Sequence, residues 1–316
     1  MVFSASQNSD LKKAAEIILA GGIVAVPTET VYGLAANALN PEAVRKIFMA
    51  KGRPFIDPLI VHVLDFALLE KIAEPNESAR RLYEAFCPGP ITFVLNKKPC
   101  IPDIVSAGKP TVAVRMPSHK TMRKFMEIAG VPLSAPSANP FGYVSPTTAA
   151  HVEAQLGDKI DAIIDGGSCE CGVESTIVML SDESRPMLLR PGPVPRAEIE
   201  KVLGKKLIDP KEKNPAHPTA PGMLKTHYSP RAKVVLFGDF CEAEEGAARV
   251  FFTRPKNPQN GDFWLSENSD PKEAARNLFG LLRSLDCSYK KIFCQRLPNE
   301  GVGEAVNDRL SRAAEK

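Results

Sequence analysis

Long hydrophobic runs are missing from this sequence: none approaches the ~18 apolar residues that a membrane-spanning helix needs. The N-terminal "MVFSASQNSD" is polar and lacks the apolar h-region of a signal peptide. Cys-x-x-Cys is also missing. Seven cysteines (87, 100, 169, 171, 241, 287, 294) are scattered, and Cys169 and Cys171 in "GSCECG" have no second Cys/His pair nearby. A structural zinc site takes two such pairs, so reduced thiols are expected. A large excess of either charge is lacking; a net charge of +3 does not by itself argue for nucleic acid. Neither a G-x-x-x-x-G-K-[ST] phosphate loop nor a G-x-S-x-G nucleophile elbow occurs. The expectation left standing is a cytoplasmic enzyme, off the membrane, that works without a protein nucleophile.

What is present reads as globular. The 316 residues are 44% hydrophobic and 24% charged, enough for two domains. The segment "DLKKAAEIILAGG" predicts an amphipathic helix with Asp10 or Ser9 as N-cap and Gly21 as the stop. "NPEAVRKIFMAKG" predicts a second, with Asn40 capping, Pro41 at the first position and Gly52 past the end. Helices are also expected in "NESARRLYEAF", "HKTMRKFMEIAG", "SPTTAAHVEAQLG" and "PRAEIEKVLG". Strands are expected in "IVAVP", "PLIVHVL", "ITFVL", "TVAVRM", "VPLSAP", "IDAIID", "STIVML" and "PMLLRPG". This alternation predicts an α/β domain with a mixed sheet over residues 1–208. A proline-dense stretch without periodicity, 209–232, reads as a linker. A smaller α/β unit follows over 233–316, with "AKVVLF", "ARVFFTR", the helix "DPKEAARNLFGLLRSL", "YKKIFCQ" and "GEAVNDRLSRAAEK".

Several strand ends carry polar residues. In "IVAVPTETVYGLAANAL" a buried strand runs into Pro27 and then Thr28, Glu29 and Thr30. Ligands of open α/β sheets bind outside the carboxyl ends of strands. Lys51 and Arg53 flank Gly52 in "AKGRP", where they either complement a helix C-terminus or grip a polyphosphate. His62 alternates with apolar residues in "PLIVHV" and is either a core histidine or a hydrogen-bonding group tuned near neutrality. Arg115 ends "TVAVR" and needs an anion: a protein carboxylate, or a ligand's. Ser137, Asn139 and Ser145 in "SAPSANPFGYVSPT" make either a plain turn or a phosphate cradle. Glu174, Ser175 and Thr176 follow a glycine-rich loop, and Arg190 precedes a Pro-Gly turn. The repeated design favours a small anionic, hydroxyl-bearing ligand.

"VPTETVYGLAANA", "AKGRP", "PLIVHV", "TVAVRMP", "APSAN", "GVESTI" and "LLRPGP" follow one another in the order of the YrdC-like family. "APGMLKTHYSP" resembles the linker of its long, two-domain threonylcarbamoyl-adenylate synthases. The resemblance implies a YrdC-like twisted mixed sheet with flanking helices and a smaller Rossmann-like C-terminal domain. It implies a nucleotidyltransferase that turns L-threonine, bicarbonate or CO2 and ATP into threonylcarbamoyl-AMP and pyrophosphate. The product supplies a tRNA-threonylcarbamoyl transferase machinery for t6A modification. By the same resemblance Lys51 and Arg53 are catalytic, and Thr30, His62, Arg115, Ala135 (by its backbone) and Ser175 bind threonine. Arg53, Asp57, Thr111, Ser137, Ser145, Arg190 and Tyr228 hold ATP. Asp57 stands where the family pattern has Asn and cannot donate as an amide does. Mg2+ is expected on the ATP phosphates, without a protein cage. Val31 and Leu34 are expected to meet the threonine methyl, and Lys225, His227 and Tyr228 to form a lid. The rival function within the fold is a double-stranded-RNA-binding or ribosome-associated factor, which would bring an RNA contact. A hydrogenase-maturation carbamoyltransferase would need acylphosphatase and zinc-finger segments, and a plain nucleotide binder would show no threonine dependence.

Overall fold

A computed structural model describes residues 1–210, 220 and 227–315. Most of the proline-dense 209–232 stretch, including Lys225, therefore lies outside the described residues. The chain runs β1 (Val2–Ser4), α1 (Asn8–Leu19), β2 (Val24–Val26), β3 (Gly33–Asn37), α2 (Pro41–Lys51), β4 (Ile60–His62), α3 (Phe66–Ile72), β5 (Ala73–Glu74), α4 (Glu77–Phe86), β6 (Ile91–Lys97). It continues through α5 (Asp103–Ser106), β7 (Thr111–Arg115), α6 (Lys120–Ala129), β8 (Leu133–Ser134), α7 (Ala149–Leu156), β9 (Ala162–Asp165), β10 (Thr176–Met179), β11 (Met187–Arg190) and α8 (Arg196–Leu203). The last elements are β12 (Lys233–Phe237), β13 (Ala247–Thr253), β14 (Asp262–Ser266), α9 (Pro271–Asp286), β15 (Lys291–Gln295) and α10 (Val302–Ala314).

The first sheet is mixed and has the order β1-β9-β2-β3-β8-β4-β7-β6-β10-β11, with β5 on the side of β6. Alternation sets its two faces. Leu59, Val61, Phe93, Leu95, Val112 and Val114 join α2, α4 and α8 in one core. On the opposite face, α1 and α6 cover β2 and β9 through Leu11, Ile18, Met122 and Phe125. Among the described residues no such helix pair covers β4, β7, β6, β10 and β11 on that face. There a small apolar group (Ile60, Val94, Ala113, Ile177, Leu189) is capped by Ala220. The interrupted helical cover leaves room for a pocket beside it.

The second sheet is parallel throughout, in the order β12-β15-β13-β14. Its core side packs on α9 and α10. That core does not end at the second unit: Val31, Val144 and Val173 of the first unit and Tyr228 belong to it.

Three sequence expectations need correction. Helix α1 is capped by Gln7 without a side-chain bond, because Asp10 turns back to accept from Ser4 N at 3.0 Å. Strand β3 was hidden in "GLAAN", which has no β-branched residue to announce it. Strand β14, "DFWLS", lies between turn-forming segments and is not among the expected strands. Helix α2 is as expected: Asn40 accepts from Glu42 N and Ala43 N, and Gly52 closes it in the left-handed region at φ 62°. That turn sets Lys51 and Arg53 on either side of the helix stop.

Candidate active site

Strand register assembles the centre. His62 of β4 lies beside Arg115 of β7, and Arg115 beside Thr92 of β6. All three occupy one row on the sheet face of Ile60, Val94 and Ala113, beyond the part that α1 and α6 cover. Thr92 Oγ1 meets Ser175 Oγ at 2.7 Å, which fixes the serine at the head of β10. An irregularity between Ile177 and Val178 sets Ile177 opposite Arg190 but Val178 opposite Leu188. The extra residue re-aims the end of β11, so Leu189 and Arg190 both serve the site side. Arg190 Nε donates to Ser175 O at 3.1 Å and Nη2 to Ser175 Oγ at 3.2 Å.

Pro27 ends β2, and Thr28 organises the turn after it. Its hydroxyl accepts from Thr30 N and Val31 N and donates to Val31 O at 2.6 Å. Thr30 Oγ1 is thereby presented to Arg115 Nη1 at 2.9 Å. Glu29, from the same turn, ion-pairs with Arg115. Burial alone would raise the Glu29 carboxyl, but the Arg115 guanidinium more than offsets this and holds it below its ordinary value. Arg115 Nε and His62 Nδ1 have no hydrogen-bond partner among the described residues. Burial, with Arg115 alongside, pushes His62 down to about 3, so the ring is neutral at pH 7.

Cations gather at the other end. Arg53 Nη2 sits 2.9 Å from Asp57 Oδ2 and donates to Pro58 O at 2.8 Å. Burial, followed by Arg53, drives the Lys51 ammonium well below its usual range. His227, with its ring 4.1 Å from that of Tyr228, is also depressed, first by burial and then by Arg53, Lys51 and Arg190. Tyr228 adopts φ 60°, a conformation rare outside glycine. Its ring stacks on Phe279 of α9 at 5.6 Å.

The elements that carry these residues wall one pocket. Of the expected site residues, Thr30, Arg53, His62, Arg115, Ala135, Ser137, Ser175, Arg190 and Tyr228 line it. Ala135 gives its amide to Ile60 O. Four expected residues stand off the wall. Lys51 Nζ donates to the carbonyls of Ser137 and Asn139 and so braces the loop from behind. Asp57 is held by Arg53. Thr111 opens β7, about 13 Å of strand from Arg115. Ser145 Oγ donates to Glu174 Oε1. Leu34 is likewise not in the pocket but in the core under the sheet, and Ile60 takes its place beside Val31.

Glu174 is the carboxylate of the wall, and its two oxygens accept from Ser145 and from Arg309 of α10 at 2.9 Å. Among the described residues no cluster of three or more His, Cys, Asp or Glu is placed to hold a metal. Thr92 and Arg309 escaped the sequence reading. Thr92 had a signal, a polar residue at an alternate position of "ITFVL". Arg309 had another: it falls on the apolar stripe of Val302, Ala305, Val306, Leu310 and Ala313.

Known proteins resemble the chain over its length. Residues 16–192 match the family described as "Telomere recombination" (Sua5_yciO_yrdC), and 194–315 that described as "Threonylcarbamoyl-AMP synthase, C-terminal domain" (Sua5_C). A threonylcarbamoyl-AMP synthase of Pyrococcus abyssi is 42% identical, the alignment covering 96% of this chain and 94% of the relative. One of Bacillus subtilis is 39% identical over 98% of this chain and 94% of its own. The crystal structure of P. abyssi Sua5 complexed with L-threonine matches with a TM-score of 0.92 at 39% identity, covering 99% of this chain and 97% of that one.

Proposed function

The chain belongs to the Sua5/YrdC family of threonylcarbamoyl-AMP synthases, and on that premise we propose that it joins L-threonine, bicarbonate and ATP into threonylcarbamoyl-AMP, pyrophosphate and water. One juxtaposition supports this most: a guanidinium-and-hydroxyl corner (Thr30, His62, Arg115, Ser175) opens into the same pocket as Arg53 and Arg190. The first corner suits an amino acid with a hydroxyl side chain. The second suits a polyphosphate.

Arg115 orients the threonine carboxylate through its uncommitted Nε, and Thr30 and Ser175 offer hydroxyls to the side chain. Neutral His62 hydrogen-bonds without adding a charge. The threonine amine forms a new N–C bond either to CO2, losing a proton, or to bicarbonate, whose C–OH bond breaks as water leaves. A carbamate oxygen then bonds to the α-phosphorus of ATP, the α–β bridging P–O bond breaks, and pyrophosphate leaves. Arg53 and Arg190 steady the phosphate charge, with Lys51 shaping the loop behind. Such chemistry is mainly positioning and charge stabilisation, which fits a pocket without a nucleophilic triad. Mg2+ would ride on the phosphates and neutralise part of their charge. Tyr228 and His227 shield the mixed anhydride from water. The adenylate then feeds a transferase machinery acting on tRNA.

The test is incubation with ATP, Mg2+, bicarbonate and L-threonine, followed by mass detection of the adenylate and a pyrophosphate assay. Threonine-dependent pyrophosphate and the adenylate mass are expected. Pyrophosphate release indifferent to threonine would overturn the reading.

A further inference from the structure

We propose that Arg309, on the last helix of the second unit, is a positioning residue of the nucleotide pocket. It neutralises Glu174 and fixes the two turns that aim Ser175 and Arg190. This deepens the synthase reading and rests on it.

The placement of Arg309 is unusual for a charged residue. It interrupts the apolar stripe of α10, and its side chain is 0% exposed. An unbridged guanidinium would not be tolerated there. Its fork reaches out of its own unit: Nε donates to Glu174 Oε2 at 2.9 Å, Nη2 to Glu174 O at 3.3 Å, and Nη1 to Pro191 O at 3.0 Å. Its own neighbour Asp308 accepts from Nη1 at 2.9 Å. The guanidinium carbon also lies 5.2 Å from the centre of the Tyr228 ring. One side chain therefore touches the turn before Ser175, the turn after Arg190 and the aromatic cover of the pocket.

Those turns have little slack. A side chain at Gly192 would come within 2.3 Å of Thr176 N, so the Pro191–Gly192 turn lies directly against the head of β10. A second bridge meets the first. Arg283 of α9 donates through Nε to Ser145 O at 3.2 Å and through Nη2 to Val144 O, while Ser145 Oγ donates to Glu174. A continuous chain of bonds thus runs from α9 through Ser145 and Glu174 to α10, along the pocket wall.

Charge gives this arrangement its purpose. Glu174 is a carboxylate on a wall that is to receive phosphates. Left uncompensated there, it would repel them at short range in a poorly solvated site. Arg309 removes that penalty and draws the carboxylate toward the second unit. An ordinary interdomain ion pair would affect folding only. A positioning residue affects ATP more than threonine: Glu174 and Arg190 face the phosphates, whereas threonine keeps Arg115, His62 and Thr30, and Ser175 is still held by Thr92.

The experiment uses the full chain with Arg309→Met, Arg309→Lys and Glu174→Gln combined with Arg309→Met. It reads KM for ATP, threonine affinity by calorimetry without ATP, and thermal unfolding. Arg309→Met should raise KM for ATP about 30-fold or more, the loss typical of truncating one partner of a buried charge pair. Threonine affinity should change by less than about threefold. Adding Glu174→Gln should recover at least about tenfold in KM for ATP, because the orphaned charge is gone. If Arg309→Met does not fold, Arg309→Lys must still weaken ATP more than threonine. A folded variant with wild-type KM for ATP, equal losses for both substrates, or no recovery on neutralising Glu174 overturns the proposal alone. If the unmodified chain releases no threonine-dependent pyrophosphate, the synthase reading falls and takes this one with it.

Discussion

Glu29 Oε1 lies 2.7 Å from Arg115 Nη2, and both side chains are sealed from solvent. The carboxylate comes from the turn after β2 and the guanidinium from the end of β7, so the pair joins distant parts of the chain across the substrate corner. Arginine here is held by a protein acid on one edge and left with a free Nε on another.

Arg115→Ala should therefore act twice. Losing a carboxylate fork should weaken threonine binding by about 2–5 kcal/mol, and ATP binding by much less. Orphaning Glu29 should lower stability by about 3–5 kcal/mol. Calorimetry and urea unfolding measure the two separately. Wild-type threonine affinity in a folded variant would remove Arg115 from the site.

The Glu29–Arg115 pair also marks the limit of sequence reading. Strand-end polarity at Thr30, His62, Arg115, Ser175 and Arg190 was legible because alternation of two assigns each to a face before the fold is known. The acid that Arg115 would meet was not, because register between β2 and β7 is set by strands between them. The partners of Lys51 were not legible for a related reason. Its helix cap is local, but the carbonyls it meets belong to Ser137 and Asn139, more than eighty residues on. Likewise the alternation in β11 would have turned Leu189 or Arg190 away, and only the irregularity against β10 keeps both.

His62 should make the protein acid-sensitive. Its folded value of about 3 lies below the ordinary ~6.5 of an unfolded histidine. Between those values the unfolded chain binds a proton that the folded chain refuses. Stability is thus complete above about 6.5 and falls as pH drops toward the folded value, at about 1.4 kcal/mol per pH unit. Chemical unfolding at pH 7 and pH 5 should show a loss that is about 2 kcal/mol smaller in His62→Gln than in the unmodified chain. Equal losses would mean that the ring is protonated in the fold.

Substrate choice should rank threonine above serine, and serine above valine. Thr30, His62 and Ser175 offer hydroxyl partners, while Val31 and Ile60 supply the apolar contact for a methyl. A missing methyl costs about 1–3 kcal/mol, whereas a missing hydroxyl leaves buried polar groups unpaired and is rejected more strongly. Competitive turnover with the three amino acids decides the matter. Valine outperforming serine would invert the assignment of the pocket wall.

Tyr228 joins a strained backbone to a needed ring, and two substitutions separate these roles. At φ 60° any side chain is disfavoured, and glycine is not. Yet the ring fills space against Phe279, the His227 ring and the Arg309 guanidinium, and is buried to 1% exposure. Removing it by Tyr228→Ala should cost about 3–5 kcal/mol, by analogy with other large buried rings. Tyr228→Gly loses the same ring but relieves the left-handed backbone. It should therefore be more stable than Tyr228→Ala by about 1 kcal/mol, the reverse of the usual order of these residues. Both variants should lose adenylate yield about equally, because the pocket cover is gone in each. Unfolding midpoints test the backbone half and adenylate yield the ring half. If Tyr228→Ala proved the more stable, the left-handed assignment would fail. Full adenylate yield in either folded variant would reduce the ring to packing between the two units.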